Sequence, residues 1–379
     1  MDFAYTQEQE QIREAIGKIC ARFDDAYWLK KDKEGGFPKE LHLALAKDGW
    51  LGVAMPEEFG GAGLGITEAA IMTQAIAESG AGFSGASAVH MNIFGLNPVV
   101  VYGAEEQKKR WLPPLIAGKE RACFAVTEPN TGLNTRQIKV KAEKRDGKYY
   151  VSGQKVWIST AQVAEKILLL ARAEAGLTLF YTDLDRKYVE VREIEKMGRH
   201  AVDSNQLFFD ALPVPEADRI GEEGKGFEYI LHGMNPERIL IAAELVGLGR
   251  CAVGRAAKYA KERIVFDRPI GQNQAIQHPL AANWMALEAA NLMAFKAASL
   301  YDAKKSCGAE ANAAKYLAGE ACFDACQQAV MTFGGFGYAV EYHVERYLRE
   351  SFVGRIAPVS RELILCFIAE RVLGLPKSY

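Results

Sequence analysis

Residues 121–160 read RACFAVTEPNTGLNTRQIKVKAEKRDGKYYVSGQKVWIST, and here the apolar period of the chain changes from helical to two. A Thr127-Glu128-Pro129 turn comes first, then an alternating strand pattern from Ile138 to Ala142. Asp146-Gly147 is a hairpin signal, and a second strand closes on Val156-Trp157-Ile158-Ser159. Two strands that each end on a hydroxyl residue, one beside a tryptophan, suit a flat heteroaromatic ligand with a polar edge. The indole covers its face while hydroxyls and backbone N–H groups bond its rim. The plainer reading of the same residues is an ordinary hairpin with Trp157 in the core.

Short strands continue beyond this block. Leu177-Thr-Leu-Phe-Tyr, Val189-Glu-Val-Arg and Gln206-Leu-Phe-Phe-Asp alternate, and Pro213, Pro215, Gly221 and Gly224 mark the exit. Upstream, Thr6 with Gln9 forms a capping-box pattern ahead of a helical stripe at Ile12, Ile16, Ile19 and Phe23. Downstream, helical pattern runs from Gly226 to about Val265, Gln277 to Ser306, Ala309 to about Thr332 and Arg361 to Leu373, which suggests a bundle. The expectation is an α+β chain with an N-terminal helical domain (1–120), a central β-domain (121–223) and a C-terminal four-helix bundle (224–379).

Composition excludes several classes. A formal charge of −2 gives no electrostatic case for nucleic acid or an anionic membrane. Apolar runs such as Ile167–Ala171 are too short to span a bilayer, and the N-terminus MDFAYTQEQEQ is acidic and lacks a basic-then-apolar signal. The seven cysteines contain no CxxC pair and the six histidines no HExxH, so no metal is expected and a reduced, cytoplasmic setting fits. Two glycine motifs are decoys. Pro56–Gly65 lacks the Lys-Ser/Thr ending of a P-loop. Gly247-Leu-Gly-Arg-Cys-Ala252 fits a dinucleotide fingerprint, but Glu237, Arg238 and Glu244 interrupt the strand it would need. Those glycines are expected to let two helices pack closely.

With its TEP and WIS motifs the block at 121–160 resembles the flavin-binding segment of the acyl-CoA dehydrogenase family, and the likeness continues along nearly the whole chain. The resemblance implies FAD-dependent α,β-dehydrogenation of an acyl-CoA thioester. A carboxylate removes the α-proton, the β-hydride passes to flavin N5, and a trans-2-enoyl-CoA results. It also implies a homotetramer that passes electrons to electron-transfer flavoprotein. In many members the base is a glutamate shortly after the GGxGY and ERYLRD motifs, here Gly334–Tyr338 and Glu345–Glu350, but this register places Pro358 there. The long-chain and isovaleryl-type branches use an LxxER motif, which Met234-Asn-Pro-Glu-Arg238 matches with Glu237 as base. Asn235 and Arg238 flank it as substrate-binding residues, and Pro236 is compatible with a helix's first turn. The alternative for Glu237 is a solvated carboxylate at a helix start.

The same resemblance assigns FAD contacts residue by residue. Val126 and Thr127 bond the flavin edge, Trp157 and Ser159 cover and bond the ring, and Gly132 with Leu133 approaches the pyrophosphate. Arg263, Phe266 and Gln274 reach the FAD of a neighbouring subunit, joined by Gly334, Gly335, Ser360 and Glu362. Two departures stand out: Leu133 replaces a serine, and Met331 a frequent glutamine. At Pro358 a backbone N–H that relatives aim at the thioester carbonyl is missing, so either the loop shifts by a residue or another donor substitutes. These departures keep two rivals open: a flavin oxidase or desulfinase of the same family, and a non-catalytic CoA- or flavin-binding assembly protein.

Overall fold

A computed structural model describes residues 4–378; Met1–Phe3, the start of the acidic N-terminus, and Tyr379 lie outside the described residues. The Thr6 capping box forms as the pattern predicts, its hydroxyl accepting from Gln9 N and the Gln9 side chain from Thr6 N. Behind it come seven helices: α1 (Gln7–Cys20), α2 (Asp25–Glu34), α3 (Lys39–Lys47), α4 (Ile66–Ile76), α5 (Gly82–His90), α6 (Asn97–Tyr102) and α7 (Glu105–Ile116). Ile12, Ile16 and Ile19 of α1 are buried against the apolar faces of α3 and α4.

Eight strands follow: β1 (Ala122–Ala125), β2 (Lys141–Arg145), β3 (Lys148–Ser159), β4 (Lys166–Ala173), β5 (Gly176–Asp183), β6 (Val189–Glu193), β7 (Ser204–Pro215) and β8 (Arg219–Ile220). They form one sheet in the order β6-β7-β3-β2-β4-β5-β8, with β1 parallel to β4. The unbroken apolar run of β4 follows from burial on both faces. Leu168 and Leu170 point to the core shared with the N-terminal helices, while Ile167 and Leu169 point to a second core with Tyr149, Phe180 and Leu207. At the hairpin, Asp146 and Gly147 both take positive φ, as a tight two-residue turn requires.

The alternating stretch from Ile138 becomes regular strand only at Lys141. Its earlier N–H groups are drawn away from a ladder: Lys139 N and Val140 N both donate to the Glu128 carboxylate, at 2.6 and 2.9 Å.

The rest is mainly helical: α8 (Gly226–Glu262), a short hairpin of β9 (Ile264–Val265) and β10 (Arg268–Pro269), α9 (Gln274–Asp302), α10 (Gly308–Phe333), α11 (Val344–Ser351), α12 (Val353–Ile356) and α13 (Arg361–Arg371). The middle of α8, from Ile239 to Gly249, is buried on every side and apolar but for Glu244, because it runs between two cores. Ile239, Leu240 and Ala243 join the core of the N-terminal helices, whereas Ala242, Leu245 and Val246 join that of α9 and α10. The dinucleotide-like glycines sit inside this helix and serve close packing. A Cβ at Gly247 would meet Gln74 O at 2.4 Å, and one at Gly249 would meet Leu287 Cδ2 at 2.5 Å. Pro236 corrects an expectation: α8 begins ten residues before it, at Gly226, so the proline lies in the helix interior rather than its first turn.

Candidate active site

The turn after β1 is fastened from below by one buried lysine. Lys155 of β3 donates to Val126 O at 2.7 Å and to Glu128 Oε1 at 3.0 Å, while Val156 N donates to Thr127 O at 3.0 Å. Burial pulls the Lys155 ammonium down to about 8 against the opposing pull of Glu128. Val126 and Thr127 are therefore fixed beside the end of β3. There the β3–β7 register breaks between Lys155 and Ile158, a bulge that holds Trp157 at φ +62°. The bulge turns the indole outward, leaving it 59% exposed, so Trp157 is not a core residue. Next to it, the Ser159 hydroxyl accepts from Arg199 Nη2 at 2.9 Å.

A second surface gathers on the C-terminal helices. Arg263 caps α8 and lies 5.7 Å over the Phe336 ring; with Tyr259, Thr332, Gly334 and Gly335 it lines an open groove of about 440 Å³. Phe266 sits at the β9–β10 turn, 93% exposed, and Gln274 is an exposed residue at the start of α9. Ser360 already has a structural task as N-cap of α13, its hydroxyl accepting from Leu363 N, and Glu362 is exposed in that helix's first turn. Met331 is exposed, as is Leu133 on the other surface.

Glu237 is the third component, and it is not a solvated helix-start carboxylate. It is 6% exposed in the interior of α8, accepts no hydrogen bond from the described residues, and its Oε2 is wholly buried. Burial pushes it up to about 7, resisted by His90, Arg238 and Lys315 and reinforced by Glu244. Arg238 Nη1 donates to Met234 O at 3.2 Å and to Asn235 Oδ1 at 3.3 Å, so it braces the 234–238 turn. Lys315 of α10 ties the segment around Pro358 to the same neighbourhood through a 2.6 Å bond to Val359 O. A carboxylate with a pKa near neutrality, free of hydrogen bonds and largely withdrawn from water, is suited to accept a proton from carbon.

Several of these residues had no sequence pattern to mark them. His90 and Glu244 are single titratable residues in apolar company, their isolation in runs such as Ile241-Ala-Ala-Glu-Leu-Val246 being the available signal, whereas Arg199 and Lys155 sit among other polar residues and carry none.

Comparisons with known proteins cover all three parts of the chain. The N-terminal, middle and C-terminal domain models of acyl-CoA dehydrogenases match residues 6–119, 123–212 and 224–373. The chain belongs to the acyl-CoA dehydrogenase family. It is 36% identical to acyl-CoA dehydrogenase FadE12 of Mycobacterium tuberculosis, over 100% of this chain and 99% of that one. It is 33% identical to the caffeyl-CoA reductase–Etf complex subunit CarC of Acetobacterium woodii, over 91% of this chain and 93% of that one. Among solved structures, a glutaryl-coenzyme A dehydrogenase in complex with glutaryl-CoA superposes with a TM-score of 0.95 at 29% identity, covering 100% of this chain and 98% of that one. The protein is thus an oxidoreductase, and the cofactor of its family is FAD.

The residues present fit that group. An indole is held outward by a bulge beside a fixed turn. A Cβ built at Gly132, Gly334 or Gly335 would meet nothing within 4 Å, so the backbone is open to close approach. Among the described residues no cluster of three or more His, Cys, Asp or Glu could hold a metal, and no helix is long and apolar enough to cross a membrane.

Proposed function

We propose that this acyl-CoA dehydrogenase oxidises an acyl-CoA thioester to the trans-2-enoyl-CoA with Glu237 as the base. The observation that carries the reading is the burial of Glu237 without a hydrogen-bond partner, with its carboxyl pushed up to about 7. When bound, FAD supplies the acceptor for the β-hydride and its electron pair. The chain's own residues do the rest. Glu237 takes the α-proton as the α C–H pair becomes the new double bond. Arg238 and Asn235 hold the turn that aims it, and α8 with its neighbours excludes water from the transfer. Thr127, Val126, Trp157 and Ser159 seat the flavin ring, and Gly132 and Leu133 face its pyrophosphate.

Arg263, Phe266, Gln274, Gly334, Gly335, Ser360 and Glu362 are assigned to the FAD of a neighbouring subunit in a homotetramer. Support comes from the groove that unites Arg263 with Gly334 and Gly335, and from the exposed apolar side chains Phe266, Trp284, Met285 and Leu292. Electrons then leave to electron-transfer flavoprotein; the relative named as a subunit of an Etf complex supports this partner.

The test is Glu237→Gln in the FAD-loaded protein, followed by anaerobic stopped-flow bleaching with butyryl-, octanoyl-, palmitoyl- and isovaleryl-CoA. The amide keeps the shape but accepts no proton at neutral pH. Flavin reduction should fall about 100-fold or more while acyl-CoA binding survives. A variant that bleaches at the wild-type rate would remove Glu237 from the mechanism, and oxygen consumption by the reduced wild type would move the reading to an oxidase.

A further inference from the structure

Two turns beyond Glu237 on α8 lies Glu244, a second buried carboxylate. It is 0% exposed, and its Oε2 has no hydrogen-bond partner among the described residues. A spacing of seven residues places the two on one side of the helix. His90, the last residue of α5, faces them: it is 8% exposed, and its Nδ1 lies 2.7 Å from Glu244 Oε1. The Phe94 ring packs on the imidazole at 4.5 Å. The other charges on this cluster come from separate elements: Arg199 from the β6–β7 connection, Arg238 from α8 and Lys315 from α10.

A buried histidine–glutamate pair is a poor stability device, since two desolvated charges commonly do no better than an apolar pair of the same size. Its position suggests another task. Resting on the assignment of Glu237 as base, we propose that His90, held by Glu244, is a positioning residue that keeps the Glu237 carboxylate charged and ready for the α-proton.

The electrostatics run in that direction. Burial, the largest single influence, pushes the His90 imidazole down, but the Glu244 and Glu237 carboxylates together more than offset it; Arg199 opposes, and the net direction is up. Against the burial that raises Glu237, His90 is the foremost of the cations that pull it down. Glu244 makes the device stable. With only one carboxylate nearby, the imidazolium would lose its counter-charge whenever Glu237 took up a proton. Glu244, 2.7 Å from Nδ1, leaves the imidazole a counter-charge when Glu237 is protonated.

The experiment compares His90→Gln, Glu244→Gln and Glu237→Gln as FAD-loaded proteins. Glutamine at 90 can still donate to Glu244 but carries no charge. The pH profile of anaerobic flavin reduction is recorded with whichever of butyryl-, octanoyl-, palmitoyl- and isovaleryl-CoA bleaches the wild type fastest. In His90→Gln the acid limb should move up by about one pH unit, making reduction about tenfold slower below the limb, with the deficit shrinking as pH rises. A second readout needs no substrate: in 13C-histidine-labelled protein the His90 resonance, identified by its loss in His90→Gln, should titrate above an ordinary histidine and move down in Glu244→Gln.

An unmoved acid limb in His90→Gln, or a His90 signal that titrates at or below the ordinary value, overturns the proposal while leaving the base intact. Undiminished reduction in Glu237→Gln overturns both.

Discussion

Glu350 and Glu237 are both buried glutamates on helices, and they are built in opposite ways. Glu350 of α11 is fully enclosed, and both its oxygens are engaged. Oε2 accepts from Phe83 N at 2.7 Å, and Oε1 accepts from the Ser84 hydroxyl at 2.7 Å and Arg346 Nη1 at 3.2 Å. Arg346 in turn donates to Gly80 O and Ala81 O. This cluster bolts α11 to the kinked start of α5, and every acceptor of the carboxylate is answered. Glu237 has no such answer. The difference teaches how to tell a structural buried charge from a reactive one: the first is saturated with hydrogen bonds, the second is left short of them.

The contrast is broken most directly at its saturated end. Glu350→Ala leaves Arg346 buried without its carboxylate and Ser84 without its acceptor, a class of change that costs about 3–5 kcal/mol. Chemical unfolding at fixed protein and FAD concentration should show a loss of that size, and a loss within experimental scatter would mean that the cluster carries no structural load.

Glu237→Gln should do the reverse, and pH gives the sign. In the folded chain the carboxyl rises from 4.5 to about 7, so between those values the native state holds a proton that the unfolded chain has lost. Stability contributed by that proton is present below the unfolded value and disappears as pH rises through about 7. The wild type therefore carries a charge penalty of up to about 3 kcal/mol above neutrality. Removing it should stabilise the variant by about 1–3 kcal/mol at pH 8 and by almost nothing at pH 5, the amide still costing something to bury. The residue whose loss stops catalysis would then be the one whose loss strengthens the fold at pH 8. Equal stability of the two proteins at pH 8 would show that Glu237 is solvated in solution.

How far the sequence reveals this depends on whether a property is periodic. The change of period near residue 121, the capping box at Thr6 and the Asp146-Gly147 turn are local patterns, and each forms where it is expected. Glu237 was found through a motif, and the helical pattern from Gly226 was legible too, yet nothing in Met234–Arg238 discloses that this part of α8 is walled in by two cores, which is what buries the carboxylate. Trp157 is a similar case. Alternation in Val156-Trp157-Ile158-Ser159 leaves a core tryptophan open as a reading, and only the bulge against β7, set by partners about 50 residues away, turns it outward. The pattern from Ile138 to Val140 misleads for the converse reason: a carboxylate at 128 captures the N–H groups that a ladder would have used. His90 and Glu244, 154 residues apart, become a pair only in three dimensions.

The smallest effect is expected where charge is neither buried nor saturated. Arg263 is exposed at the end of α8, with the Phe336 ring as its nearest partner. An exposed cation of this kind contributes little to the fold of its own chain, about 0–1 kcal/mol. Its value, if it reaches the FAD of a neighbouring subunit, is spent on the ligand. Arg263→Ala should therefore lose FAD a few-fold faster on dilution and shift the oligomer toward smaller species. With FAD in large excess its melting temperature should return close to that of the wild type, since bound ligand restores stability by mass action. Dilution-driven flavin fluorescence and sedimentation velocity measure the two effects. If the variant retains FAD as the wild type does, the groove between Arg263 and Gly335 is not a cofactor surface.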